Sequence, residues 1–381
     1  MESSRRDPVW ANIFFRWAIC AGLAVIAVYT TETVIRRDLW DLQVYQRALD
    51  LHRSGGTPFQ VGPGMNFIYP PVFLTLFSWL GAAFRPLLLT LYAAVLLLMA
   101  RKSLRPVVMG MALFSLTIFF HTRPVAIALG SGNLTFFFHA LLILSWLEGG
   151  RWQTRLFPGL VILFSLLKPY YLAYALMPVL VQGLGPGGLA RLAMIVAVTG
   201  VGWTVQYLAA PEAFRQFLVA LKWQSFQGND ALVAGDIGWG GYRFMAMATG
   251  SAQAALTLHA GLAAVFLGAV LRWRGRLAAL GDRHGVNVLG FVALISVILI
   301  NPRLKIYDYC FIGSLAAYLV AFFLRDCRKG WLILVWLILH FGEKQIGPIP
   351  VDRFLDAHLL TVVLVVLLAR ALRELPVESG P

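Results

Sequence analysis

Apolar runs separated by short basic clusters constrain this chain more than any other feature. Stretches such as Trp17 to Thr31, Ala254 to Leu271 and Tyr309 to Leu324 approach the roughly 20 residues a helix needs to cross hydrocarbon. Residues are 59% hydrophobic and 13% charged, about half the charged share of an ordinary soluble domain, and mean hydropathy is +0.74. The sequence therefore predicts an all-α polytopic membrane protein. Arginines precede the first apolar stretch, but without a small-residue cleavage site it reads as a retained helix.

The formal charge of +14 does not imply nucleic acid, because Lys and Arg gather between the apolar runs. Clusters at Arg5-Arg6, Arg101-Lys102-Arg105, Arg151-Arg155, Arg272-Arg274-Arg276 and Arg325-Arg328-Lys329, with Arg370 and Arg373, follow the pattern of cytoplasmic loops. Placing them inside gives about twelve crossings in one domain over residues 1–381. The first external loop covers residues 36–66 and the second residues 210–250. The stretch Phe67 to Phe84 is expected to be partly re-entrant or interfacial, because one crossing is too few for the apolar length of Phe67 to Ala100 and three too many. On this route residues 121–133, 168–170, 301–308 and 343–352 are external, and residues 149–155 and 183–191 internal. Eleven of the eighteen acidic residues then lie at or near the outer face, so any chemistry is expected there.

The first external loop contains Asp38, Asp41 and Tyr45 at helical spacing, then Gly55-Gly56-Thr57-Pro58, a turn that ends the helix, and closes on Asn66-Phe67-Ile68-Tyr69-Pro70-Pro71. Lys168-Pro169 interrupts an apolar segment, where proline breaks a helix and an ionisable side chain at membrane depth marks a site for phosphate or sugar. Asn301-Pro302-Arg303-Leu304-Lys305-Ile306-Tyr307-Asp308 sets two cations and a carboxylate in one short connection. Arg303 offers a planar fork and Lys305 a point charge to a phosphate, and Asp308 would orient one of them or bind a sugar hydroxyl. Cys20, Cys310 and Cys327 are isolated, and no metal-ligand or nucleotide-binding spacing is present, so no metal and no cofactor is expected.

These segments resemble the polyprenol-phosphate-mannose-dependent mannosyltransferases of glycosyltransferase family 87, which have the GT-C membrane fold. The resemblance rests on Asp41-x-x-x-Tyr45, Tyr69-Pro70-Pro71, Gly130-x-Gly132-Asn133, Lys168-Pro169, and Asn301-Pro302-Arg303 with Tyr307-Asp308. It implies an inverting transfer of a hexose, mannose in the family, from a polyprenyl-phosphate donor to a cell-envelope glycan or glycolipid on the external face of the cytoplasmic membrane. By matching position Asp41 would be the general base, with Asp38 the alternative one turn earlier. Lys168, Arg303, Lys305 and Asp308 would hold the donor, supported by Tyr45, Tyr69, Asn133 and Tyr307. Actinobacterial members carry histidine where this chain has Tyr307-Asp308, a departure that bears on the sugar. A multi-pass transporter or flippase of lipid-linked saccharide is the rival reading.

Overall fold

The computed structural model describes residues 39–59, 67–91, 94, 131–223, 241–284, 287–302 and 364–372, with Leu304, Asp308 and 311–313, 315–316, 319–320 and 323. Among these residues all regular structure is helical. Two helices among the described residues, Pro186–Ala209 and Ala252–Asp282, are long and apolar enough to cross a membrane, or three if the bent pair Pro71–Leu80 and Phe84–Leu91 is one span. The other apolar helices, of 10–17 residues, stop short of the roughly 20 a crossing needs. The expected number of about twelve crossings depends in large part on residues outside the described set.

Helix α1 (Trp40–Arg53) starts with Asp41 in its first turn and ends with His52 and Arg53 in its last, each sign matched to the end of the helix dipole it meets. Gly55, at φ +77°, turns the chain out of the helix where the Gly-Gly-Thr-Pro sequence predicts a stop. The buried face carries Leu42, Tyr45 and Leu49 at helical spacing. Pro71 opens α2 (Pro71–Leu80), a position where its missing N–H costs nothing. Across Gly81–Ala83 the chain then bends by 99° into α3 (Phe84–Leu91), over the stretch expected to be re-entrant or interfacial.

Helix α4 (Leu134–Glu148) is capped by Asn133, whose side chain accepts from the Thr135 N–H. After Gly149 the helix α5 (Trp152–Leu167) begins with a π-helical turn and ends at Lys168, which is extended at φ −146°, ψ 108°. Pro169 is the cause, since it disfavours helical backbone in the residue before it. A 3₁₀ segment, Pro169–Leu176, leads into α6 (Met177–Gln182). Next come α7 (Pro186–Ala209), α8 (Pro211–Lys222), α9 (Gly241–Thr249), α10 (Ala252–His284) and α11 (Val288–Leu299).

In the most apolar windows of α7 and α10 only 11% and 17% of the residues are buried within the protein. Val198, Val201, Val205 and Leu208 face outward on α7, as do Leu258, Leu262 and Val265 on α10. Such continuous apolar surface is matched by lipid and not by water; the helices mark a membrane-associated protein.

Helix α8 packs Phe214, Phe217 and Ala220 inward. Its Gln216 accepts a 2.6 Å hydrogen bond from the Thr57 hydroxyl, and Phe217 meets Phe59 at 6.2 Å. The two loops that the charge pattern assigns to one face are therefore in contact. On the same helix Arg215 donates to the Tyr207 hydroxyl at 3.2 Å, which raises its guanidinium pKa above the ordinary value.

Candidate functional site

The site is built where interrupted helices end. Gly132, at φ +74°, lies against Leu39 and Leu88, so that a Cβ there would sit 3.3 Å from Leu39 and 3.4 Å from Leu88. This close approach sets the start of α4 beside the start of α1, two residues before Asp41. Asp41 is half-buried and its Oδ2 is buried. Tyr45, one turn on, is enclosed by Phe67, Tyr69, Phe73, Phe77 and Phe84 with ring centroids 4.9–6.4 Å away. Its hydroxyl is 2.7 Å from that of Tyr69.

Lys168 is buried, with 6% of its surface exposed. Its Nζ donates to the Thr135 hydroxyl at 2.6 Å and lies 4.4 Å from the Tyr69 ring centre. A charge-assisted hydrogen bond contributes about 1.5–3 kcal/mol, and a desolvated cation over an aromatic face about 2 kcal/mol. The lysine thus links the break after α5, the capped start of α4 and the loop before α2.

A 3₁₀ helix has three residues per turn, so residues three apart stack in a row. Pro169 initiates such a segment, and Lys168, Tyr171 and Tyr174 fall on one line. Thr135 and His139, four apart on α4, form the facing line. The Tyr171 hydroxyl donates to the Thr135 carbonyl at 3.0 Å, while that of Tyr170 lies 3.3 Å from the Thr135 hydroxyl. His139 Nδ1 is 2.7 Å from the Tyr174 hydroxyl, and its Nε2 is 3.0 Å from Asp308 Oδ1, with both side chains 2% exposed.

Of the residues singled out in the sequence, Lys168, Asn133, Tyr69, Tyr45 and Asp308 thus join one connected cluster, and Asp41 lies on the helix that borders it. Asp308 meets His139, a contact the sequence reading did not anticipate beside the orienting and sugar-binding roles it gave that carboxylate. Asp38, Asn66, Gly130, Arg303, Lys305 and Tyr307 lie outside the described residues. So do Cys20, Cys310 and Cys327 and the N-terminal apolar stretch. Sequence reasoning missed Thr135, His139 and Tyr174. Their signals were present as the spacing Thr135-x-x-x-His139 and Lys168-x-x-Tyr171-x-x-Tyr174, but the second has a period of three that is informative only once the segment is known to be 3₁₀.

Among the described residues no group of three or more His, Cys, Asp or Glu could hold a metal ion. The donor set is instead a cation, hydroxyls and carboxylates, suited to binding an oxyanion and polyhydroxyl groups. No protein-family model and no curated protein matches the chain.

Proposed function

We propose that the protein is a membrane glycosyltransferase that moves a hexose, mannose as the first candidate, from a polyprenyl-phosphate donor to a cell-envelope glycan or glycolipid on the external face. The observation that carries this reading is Lys168, buried at the break of α5 and hydrogen-bonded into the start of α4, beside the helix that bears Asp41. An ammonium at membrane depth is costly, and its three N–H donors suit a lipid-linked phosphate at headgroup level. In the transfer the Asp41 carboxylate takes the proton of the acceptor hydroxyl as that oxygen attacks the anomeric carbon. The bond from that carbon to the phosphate oxygen breaks with inversion, and polyprenyl phosphate leaves. A phosphate whose second proton titrates near pH 6 departs with little protonation, so one base and cationic stabilisation are sufficient. Arg303, Lys305 and Asp308 would complete the donor site.

Interrupted helices with buried ionisable groups also occur where transporters bind cargo, so translocation of a lipid-linked saccharide is the second reading. Purified protein incubated with radiolabelled polyprenyl-phosphate hexose separates the two. Release of polyprenyl phosphate, abolished by Asp41→Asn in a folded protein, supports transfer. Asp41→Asn activity within tenfold of the parent rejects Asp41 as the base. Bilayer translocation of the intact donor without bond cleavage supports the transporter.

A further inference from the structure

Away from the polar cluster, α10, α11 and the helix over 364–372 enclose a groove of about 290 Å³ whose lining is apolar apart from Ser296. The Ser296 hydroxyl donates to the Val292 carbonyl at 2.8 Å, so the groove wall offers hydrocarbon contacts only. Its rim is open, with Val265 69%, Val365 50% and Trp273 44% exposed. Along α10 it extends from Val265 to Leu277, about 18 Å at the helical rise. That is close to the roughly 15 Å depth of one leaflet's hydrocarbon.

The end of the groove carries charge. Arg272, Arg274 and Arg276 surround Trp273, the pairing of aromatic and cationic side chains found at headgroup level. Arg274 is committed elsewhere, with its guanidinium against Gly183 at the end of α6. Arg272 and Arg276 are exposed. At about 100° per residue Arg276 lies some 20° from Ala269, a groove-lining residue, and so on the same face of α10. Arg272 follows at the edge of that face, one turn earlier.

We infer that this groove and the Arg272–Arg276 edge form a binding site for an anionic phospholipid, with one acyl chain along Val265 to Leu277 and the headgroup phosphate on the arginines. Charge selects the occupant, because a zwitterionic lipid fills the same hydrocarbon space but brings a cation toward Arg276. The site is separate from the donor site around Lys168 and does not depend on the glycosyl-transfer reading.

Native mass spectrometry of the full chain, released from detergent micelles doped with equal phosphatidylglycerol and phosphatidylcholine, tests this. The parent should retain phosphatidylglycerol in preference to phosphatidylcholine. Each of Arg272→Gln and Arg276→Gln should lower that preference about fivefold, the share of one basic residue at an anionic surface. Ala269→Phe, which fills the groove, should lower retention of both lipids. Equal retention of the two lipids overturns the proposal, as does an equal loss of preference in Arg151→Gln/Arg155→Gln, which would show diffuse attraction. Displacement of phosphatidylglycerol by equimolar polyprenyl phosphate overturns the assignment of the occupant. The arginines are exposed, so their replacement leaves folding intact, and a thermal melt in detergent verifies that for each variant.

Discussion

Replacing Lys168 with Met separates a lysine kept for catalysis from one kept for the fold. Methionine preserves the unbranched stem and fills space adaptably, while removing the ammonium. With the ammonium go the 2.6 Å hydrogen bond to Thr135, about 1.5–3 kcal/mol, and the cation over Tyr69 at 4.4 Å, about 2 kcal/mol. Against this, a buried ammonium carries a desolvation penalty of several kcal/mol, which the substitution removes. The opposing terms are of similar size, so Lys168→Met should unfold within about 1 kcal/mol of the parent in chemical denaturation in detergent. Donor use should behave otherwise. If Lys168 holds the donor phosphate as proposed, loss of that charge-assisted hydrogen bond, about 1.5–3 kcal/mol, should lower kcat/KM for the polyprenyl-phosphate sugar roughly 10- to 150-fold. A variant destabilised by more than about 3 kcal/mol with unchanged donor kinetics would refute the reasoning and make Lys168 a structural residue.

Two further outcomes follow from the packing. His139→Leu takes away the nitrogen beside the buried Asp308 carboxylate and should cost roughly 1–3 kcal/mol in denaturation, whereas His139→Gln, whose amide nitrogen falls near the Nε2 position, should recover part of it. Gly183→Ala should destabilise more than Gly149→Ala: both glycines have positive φ, at +89° and +73°, but only at Gly183 would the added Cβ collide with Arg274. Both have ψ of about 180°, a region open almost only to glycine, so the strain common to both is roughly 1–3 kcal/mol, and equal melting temperatures for the two variants would show that the Arg274 contact carries no weight.

The end of α1 at the Gly55 turn and the break at Lys168-Pro169 were legible because glycine and proline act through local backbone geometry that the sequence states directly. Tyr69, Asn133, Lys168 and Asp308 were singled out together through the family resemblance, and not by local geometry. The pairing of Asp308 with His139 was not legible. Histidine in the run Phe136-Phe137-Phe138-His139 has no local mark of function, and only the packing of the 3₁₀ segment against α4 shows what it faces. The lengths of α4, α5 and α11 were not legible either, since hydropathy continues through a break that backbone geometry makes.

Those short helices and the polar cluster have one physical cause. A backbone that stops being helical at membrane depth exposes N–H and C=O groups that lipid cannot satisfy, so it must be covered by protein. Here α5 ends at Lys168, α4 begins at Asn133 and α11 ends at Ile300. The end of α5 is covered by α7, whose Trp203 Nε1–H donates to the Ser165 carbonyl at 3.3 Å and whose Gln206 Nε2–H donates to the Leu166 carbonyl at 3.4 Å; the start of α4 is covered by Asn133 on the Thr135 N–H, and the end of α11 by His259, whose Nε2 lies 2.9 Å from the Ile300 carbonyl. The same packing keeps two ends of the molecule apart. Thr57 with Gln216 joins two segments that the charge pattern assigns outside, and Arg274 with Gly183 joins two assigned inside. Helix α7, about 36 Å long for its 24 residues at the helical rise, connects the Gly183 end to the α8 end. Breaking α5 at Lys168 therefore does more than interrupt a helix: it creates polar backbone that requires N–H partners, and α7 supplies them from Trp203 and Gln206 while the Lys168 ammonium turns to Thr135.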